Sequence, residues 1–301
     1  MVRTVVAGLD GSPESRAAAE WAAREAKLRG LSMKLVHVWE PVPTPGSQAP
    51  LLGGETRPHW AERVPREEVE GLELRHPGLD ITMEALSGRP ADVLADVAKD
   101  AELLALGSRG LSGLRGFLVG SVGLAVVSRV ERPVVLVRAG EQAVDEHEPD
   151  PTGIPSASTR YRPVVVGVDT AEPDDSVIGF AFEAAARRGT GVWALHSWSP
   201  SPYYVHDLSV DRSLRDEISG RHTEALAEAL APWRQKYPST DVVEHARSGS
   251  AADQLIEAST DASLVVVGRR VRRNPLGAHI GPVTHAVLHH ATAPVAVVSH
   301  D

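Results

Sequence analysis

The sequence predicts an α/β fold in two tandem, doubly wound domains, each a five-stranded parallel sheet with helices on both faces. Three observations lead there. The chain repeats itself at long range, and short β-branched runs alternate with helical patterns inside each repeat. Its 301 residues are also about twice the ~100 to 150 at which single hydrophobic cores are commonest.

The repeat is legible residue by residue. TVVAGLDGS at 4–12 recurs as PVVVGVDTA at 163–171, which sets Gly8 over Gly167 and Asp10 over Asp169 at an offset of 159. The same offset lays LVHVW at 35–39 over ALHSW at 194–198. Further on, SGRPADVLADVAKDAELLALGSRG at 87–110 matches SGSAADQLIEASTDASLVVVGRRV at 248–271, now at an offset of 161. That register puts Gly107 over Gly268, Gly120 over Gly281, and RPVVLV at 132–137 over APVAVV at 293–298. A net two-residue insertion between Trp198 and Ser248 reconciles the two offsets. Between the copies, residues 140–159 are rich in Pro, Gly, Ser and acidic residues and lack apolar periodicity. They read as an exposed linker, which leaves domains of 1–140 and 160–301.

In the first copy, strands are expected near 3–9, 33–39, 80–86, 102–107 and 133–138, and helices near 13–30, 60–75, 90–100 and 120–130. Ala18, Trp21, Ala22, Ala26 and Leu28 give the first helix its apolar face,. The second copy follows suit. Ligands of such sheets bind beyond the carboxyl ends of the strands, where the strand order reverses.

Composition narrows the function. Aromatic residues are only 4%, so the core is mostly Ala, Val and Leu. The chain has no cysteine, which excludes disulfides, thiolate nucleophiles and Cys-ligated zinc. A net charge of −9 opposes non-specific nucleic-acid binding, whose strength comes from phosphate neutralisation. Apolar runs such as LVVVG at 264–268 are far short of the ~20 residues that cross a bilayer. The opening MVRTVVAGLDGS leaves no room for an apolar signal core. The expectation is a cytoplasmic protein with neither a membrane nor a nucleic-acid partner.

The most informative stretch is LALGSRGLSGLRGFLVGSVGLAVV, with glycines at 107, 110, 113, 116, 120 and 123. A strand runs into a glycine-rich loop that opens a helix at Gly120–Ser121. Backbone N–H groups at such a helix start, where the dipole is positive, suit a phosphate chain. The spacing Gly-x2-Gly-x9-Gly-Ser, through Gly107, Gly110, Gly120 and Ser121, resembles the ATP signature of the universal stress protein family. The resemblance covers both copies nearly end to end, including VVAGLDGS, HVW and RPVVLV.

That resemblance implies an ATP-binding protein and assigns roles. Gly8 and Asp10 would contact the nucleoside, Asp10 near the ribose hydroxyls, and Val38 would offer its backbone to adenine. Gly107, Ser108, Arg109, Gly110, Leu111, Ser112 and Gly113 would wrap the phosphates, with Arg109 as counter-charge. Gly120, Ser121 and Val122 would cap them, and Mg²⁺ would be held mainly through the phosphates. In proteins of this family the last strand pairs with another copy. The two halves are therefore expected to dock as an intramolecular pseudo-dimer, with homodimerisation of the tandem chain beyond it.

The second copy departs from the pattern. Its loop, GRRVRRNPLGAHIGPV at 268–283, keeps Gly268, Gly277 and Gly281 but has Val271 and Pro282 where the motif has glycine and serine. Proline also removes a backbone donor. Arg269, Arg270, Arg272 and Arg273 concentrate positive charge there, and arginine suits bidentate phosphate contacts. Two alternatives stay open: a nucleotide site using Gly167, Asp169, Gly268, Arg269, Gly277, Gly281 and Val283, or an exposed basic loop.

Other patterns point less far. His285, His289 and His290 share the last helix with no acidic residue to complete a metal site, so no metal site is expected. Asp10 lacks the acidic cluster and lysine of a phospho-acceptor domain. GLDGS does not fit G-x-G-x-x-G, and no Gly-Lys-Ser/Thr occurs,. The stretch at 41–58 and its counterpart at 199–211, with Tyr203 and Tyr204, read as loops beside the sites. Three function classes stand: a nucleotide-dependent regulatory or protective module acting with an unidentified protein partner in the stress response, a slow ATPase or nucleotidyl-transfer enzyme, and an interaction scaffold with relic sites. The first ranks ahead, because no general base is evident at the phosphates.

Overall fold

The computed structural model describes residues 3–40, 68–108, 120–199, 212–271 and 280–301, in two compact units, Met1–Gln142 and Ala143–Asp301. The first unit runs β1 (Thr4–Leu9), α1 (Pro13–Arg29), β2 (Met33–Trp39), α2 (described over 68–75), β3 (Ile81–Ser87), α3 (Pro90–Ala98), β4 (Ala101–Ser108), α4 (Ser121–Arg129) and β5 (Val134–Arg138). Its strands lie in the order β3-β2-β1-β4-β5 and every pair is parallel. Parallel strands need crossovers, and right-handed crossovers fix where the helices go. The chain steps one way from β1 to β3 and the opposite way from β4 to β5, which sends α1 and α2 to one face and α3 and α4 to the other. Side-chain pairing agrees. Glu20 of α1 meets His76 just beyond α2 at 2.8 Å, and Arg16 meets Glu68 at 3.4 Å.

The sequence explains the local choices. Ser12 caps α1 by accepting a hydrogen bond from the Ser15 N–H, Pro13 occupies the first turn, and Gly30 ends the helix at φ 64°, a left-handed conformation that favours glycine,. β1 and β4 are covered on both sides and are almost continuously apolar, while β3 at the edge alternates in exposure,.

The second unit runs β6 (Val164–Gly167), α5 (Asp175–Arg188), β7 (Val192–Trp198), α6 (Arg212–Lys236), β8 (Val242–Ser248), α7 (Ala251–Ala258), β9 (Leu264–Arg270), α8 (Pro282–His290) and β10 (Val295–His300). Its order, β8-β7-β6-β9-β10, repeats the first topology, again all parallel. Phe182 of α5 packs against Trp233 and Tyr237, at 6.1 and 5.8 Å between ring centroids. Gly189 closes α5 at φ 62°, as Gly30 closes α1.

Two expectations need correction. On α1, Ala18, Trp21, Ala22 and Ala26 are fully buried, but Leu28 is only partly so and Glu25 is buried in its stead. Glu25 is tolerated there because Arg29 donates to its Oε1 at 2.6 Å and reaches Glu102 at 3.2 Å,. The 140–159 stretch is also not simply exposed. Arg188 occupies the position that matches Arg29 and is equally buried, and its carboxylate partner, Glu146 at 3.8 Å, comes from a 3₁₀ turn at Ala143–Glu146. His147 is buried beside it, donates from Nδ1 to the Thr159 carbonyl at 2.6 Å, and pairs with Tyr161 in an antiparallel bridge. Composition describes the average of a segment and is blind to the one acid in it that finds a buried partner.

Glu146→Ala is therefore expected to cost about 3 kcal/mol by leaving a buried guanidinium short of its counter-charge. Glu148→Ala, at an exposed neighbour, should stay within about 0.5 kcal/mol of the parent. Denaturant melts of both variants measure the contrast.

Candidate functional site

In the first unit the strand order reverses between β1 and β4, and a cavity of about 250 Å³ opens at their carboxyl ends. Gly8, Leu9 and Asp10 line it from the end of β1, Val36 and Val38 from β2, Leu106 and Gly107 from β4, and Gly120, Ser121, Val122 and Gly123 from the start of α4. Seven residues that the sequence marked, Gly8, Asp10, Val38, Gly107, Gly120, Ser121 and Val122, thus border one space. Arg109, Gly110, Leu111, Ser112 and Gly113 lie outside the described residues. Ser108 faces away, buried, and donates to the Val137 carbonyl at 3.2 Å, as the twofold alternation of a strand requires,.

The Asp10 carboxylate is exposed but held. Its Oδ1 accepts from the Ser12 backbone N–H at 3.0 Å and from the Ser12 hydroxyl at 2.5 Å, so the residue that caps α1 also aims the acid. His37 donates from Nδ1 to the Leu9 carbonyl at 2.8 Å, tying β2 to the end of β1. Among the described residues no side chain caps α4, so its first turn presents the backbone donors of a helix start.

Gly107 has a second reason to be glycine. A Cβ there would stand 2.6 Å from the Glu14 carbonyl carbon and 2.7 Å from the Ser15 nitrogen, so α1 rests directly on the end of β4. Gly8 is likewise closed in by Leu106 and Leu94. Ser12, Glu14, Ser15 and Leu94 also line the cavity and were missed in the sequence. Only the capping pattern after Asp10 could have signalled the first three.

The second unit has a cavity of about 480 Å³ in the matching place, lined by Gly167, Asp169, Gly268, Arg270 and Val283 among others. The helix beside it also starts later: Pro13 aligns with Glu172, yet α5 begins only at Asp175. Asp169 repeats the turn of Asp10, its Oδ1 accepting from the Ala171 N–H at 3.0 Å. Arg269 does not border this space; it is buried on β9, and Arg270 pairs with Glu172. Gly281 begins α8 beside the cavity, with nothing near its missing side chain. Gly277, Arg272, Arg273, Tyr203 and Tyr204 lie outside the described residues, as does the stretch at 41–58.

Two histidines of the second unit, His196 and His222, stack on each other with ring centroids 5.1 Å apart. His196 donates from Nδ1 to the Val168 carbonyl at 3.1 Å, matching His37, and its Nε2 lies 3.0 Å from His222 Nδ1. The His222 ring stacks on Trp198 at 4.7 Å, and burial followed by the charge of His196 lowers its pKa below the usual 6.5. On α8 the His285 and His289 rings lie 4.4 Å apart, and the described residues hold no group of three or more metal-ligating side chains.

A sequence model of the universal stress protein family matches residues 1–138 and again 160–299. The chain belongs to the universal stress protein family. Among its relatives, the universal stress protein Rv2005c of Mycobacterium tuberculosis is 33% identical over 304 residues, covering 97% of this chain and 96% of that protein. The crystal structure of a universal stress protein from Archaeoglobus fulgidus matches the fold over 100% of both chains, at a TM-score of 0.65 and 17% identity. A shorter universal stress protein, solved in complex with cAMP, aligns with 46% of this chain and 98% of its own at 26% identity and a TM-score of 0.36. Among the described residues, no helix is long and apolar enough to cross a membrane.

Two outcomes are expected of these sites. Gly107→Ala should lose about 1 to 3 kcal/mol of stability through overpacking against α1, whereas Gly281→Ser, in open space at a helix start, should be neutral or stabilising; thermal melts compare them. His222 has a folded-state pKa below its unfolded value, so its contribution is complete above pH 6.5 and is lost as pH falls from there through the lower folded value. His222→Phe keeps the stack and should flatten that part of the pH–stability curve.

Proposed function

We propose that this universal stress protein binds ATP in the cavity of its first unit and acts as a nucleotide-dependent regulatory or protective module. The observation that carries the reading is the convergence of Gly8, Asp10, Val38, Gly107, Gly120, Ser121 and Val122 on one cavity at the reversal of the strand order. Their chemistry fits the ligand. An exposed carboxylate held by Ser12 is an acceptor for ribose hydroxyls, and the α4 start supplies backbone donors in a positive field to an anionic chain. Ser108, buried against Val137, has its hydroxyl turned away from this role. Mg²⁺ would be held through the phosphates, since among the described residues the acids lining the cavity are Asp10 and Glu14. Cytoplasmic action, homodimerisation of the tandem chain and an unidentified protein partner belong to the same proposal.

Ser121 offers a test that separates binding from folding. Ser121→Glu puts a carboxylate in the first turn of α4, which favours the helix by a few tenths of a kcal/mol and repels phosphate by about 3 kcal/mol per charge pair at ~5 Å and an effective dielectric of ~20. The expected result in calorimetric titration is one ATP per wild-type chain, weakened roughly 100-fold or more in the variant with thermal stability kept. Unchanged ATP affinity in a folded variant would remove α4 from the site, and no ATP binding by the wild type would end the proposal.

A further inference from the structure

The two cavities share a nucleoside end and differ at the other. In both, an aspartate after the first strand is fixed by an Asx turn, Asp10 on Ser12 and Asp169 on Ala171. In both, a histidine of the second strand donates to a carbonyl where the first strand ends, His37 to Leu9 and His196 to Val168. Ser197, which lines the second cavity, takes the place of Val38 and is oriented by donating to Gln254 Oε1 at 2.9 Å.

The opposite end of the second cavity is filled by the protein's own groups. Asp174 caps α5, accepting from Ser176 N at 2.8 Å and Val177 N at 3.2 Å, so the positive start of that helix already faces a carboxylate,. The first unit has the neutral Ser12 as cap instead. His300 stands 3.8 Å from Asp174 and presses on Gly268, where a Cβ would come within 2.9 Å of its Nε2. Thr284 stands where the first unit has Gly123, and its hydroxyl donates to the Gly268 carbonyl at 2.8 Å. Glu172 pairs with Arg270. Among the described residues, Asp169, Glu172 and Asp174 set three carboxylates around the Arg270 guanidinium in the cavity lining.

We propose that the second cavity is a nucleoside site that excludes the triphosphate, with Glu172 and Asp174 as the residues that set this preference. The choice of an adenine nucleoside rests on the ATP reading of the first cavity; the charge selection stands on the second unit's own residues. A polyphosphate entering here would compete with Glu172 for Arg270 and lie against the like charges of Asp169, Glu172 and Asp174, which line the same concave site,. An uncharged adenosine meets no such opposition and keeps the hydroxyl acceptor of Asp169. The chain would then carry one triphosphate and one nucleoside, two ligands of the same base told apart by charge.

Equilibrium dialysis of the full chain against ATP, and against adenosine with ATP already saturating, tests this. The expected result is one ATP per chain plus one adenosine, the adenosine being lost in Ala251→Phe, which fills the second cavity from α7. In the double variant Glu172→Gln, Asp174→Asn, ATP should bind a second time, at least tenfold tighter at that site than in the wild type. Asparagine caps helices about as well as aspartate, so the variant is expected to fold, and its circular dichroism melt is checked alongside. Two ATP per wild-type chain, no adenosine uptake beside ATP, or a folded double variant with unchanged ATP stoichiometry would each overturn the proposal. The two readings fail separately: no ATP with adenosine still lost in Ala251→Phe removes the first-cavity reading alone, whereas one ATP without adenosine removes this one alone.

Discussion

Everything in each unit depends on an all-parallel sheet that must bury both faces. Parallel strands cannot be joined by tight turns, so every connection becomes a helix crossing over one face. Right-handed crossovers then send α1 and α2 to one side and α3 and α4 to the other. The loops that leave β1 and β4 therefore turn apart, and the crevice between them is a product of connectivity rather than of any side chain. Gly8, Asp10 and Gly107 stand at that crevice because β1 and β4 end there. In the second unit the same order places Gly167, Asp169 and Gly268 at the corresponding edge.

Close contact at the crevice gives its glycines two duties. Gly107 lets α1 rest on the end of β4 and also borders the cavity. A substitution there would therefore confound folding with ligand loss, while Ser121, exposed at a helix start, separates them. The repeat preserves such constraints where backbones meet: Gly30 and Gly189 end their helices at nearly the same left-handed angle. It lets charge drift where only side chains meet. The buried arginine at the end of the first helix takes Glu25 and Glu102 in one unit and Glu146 in the other.

Much of the fold was legible in the sequence because the signal is redundant. Apolar strands, capped helices and a second copy in register all report the same architecture, and β1, β2 and β5 lie within a residue or two of their expected ranges. One side of the first cavity was legible too, since Gly8 and Val38 stand at the carboxyl ends of their strands and Asp10 directly follows one. Glu172, Asp174 and His300 were not. They come from a lengthened loop and the end of the last strand, and nothing in their spacing shows that they share a cavity. Arg269 and Arg270 read as one basic cluster, yet adjacent strand residues point to opposite faces, which buries one and leaves the other at the rim,.

By itself the sequence determined the number of domains' worth of repeat, the order of strands and helices, the family, and the glycine and aspartate positions at the strand ends. These follow from local periodicity and from backbone conformations that few residue types allow. Only the tertiary structure decided which charges neutralise one another: Arg188 with Glu146, Arg270 with Glu172, and His300 beside Asp174. Ion pairing depends on distances of a few ångströms between residues far apart in the chain, and spacing along a sequence carries no record of them.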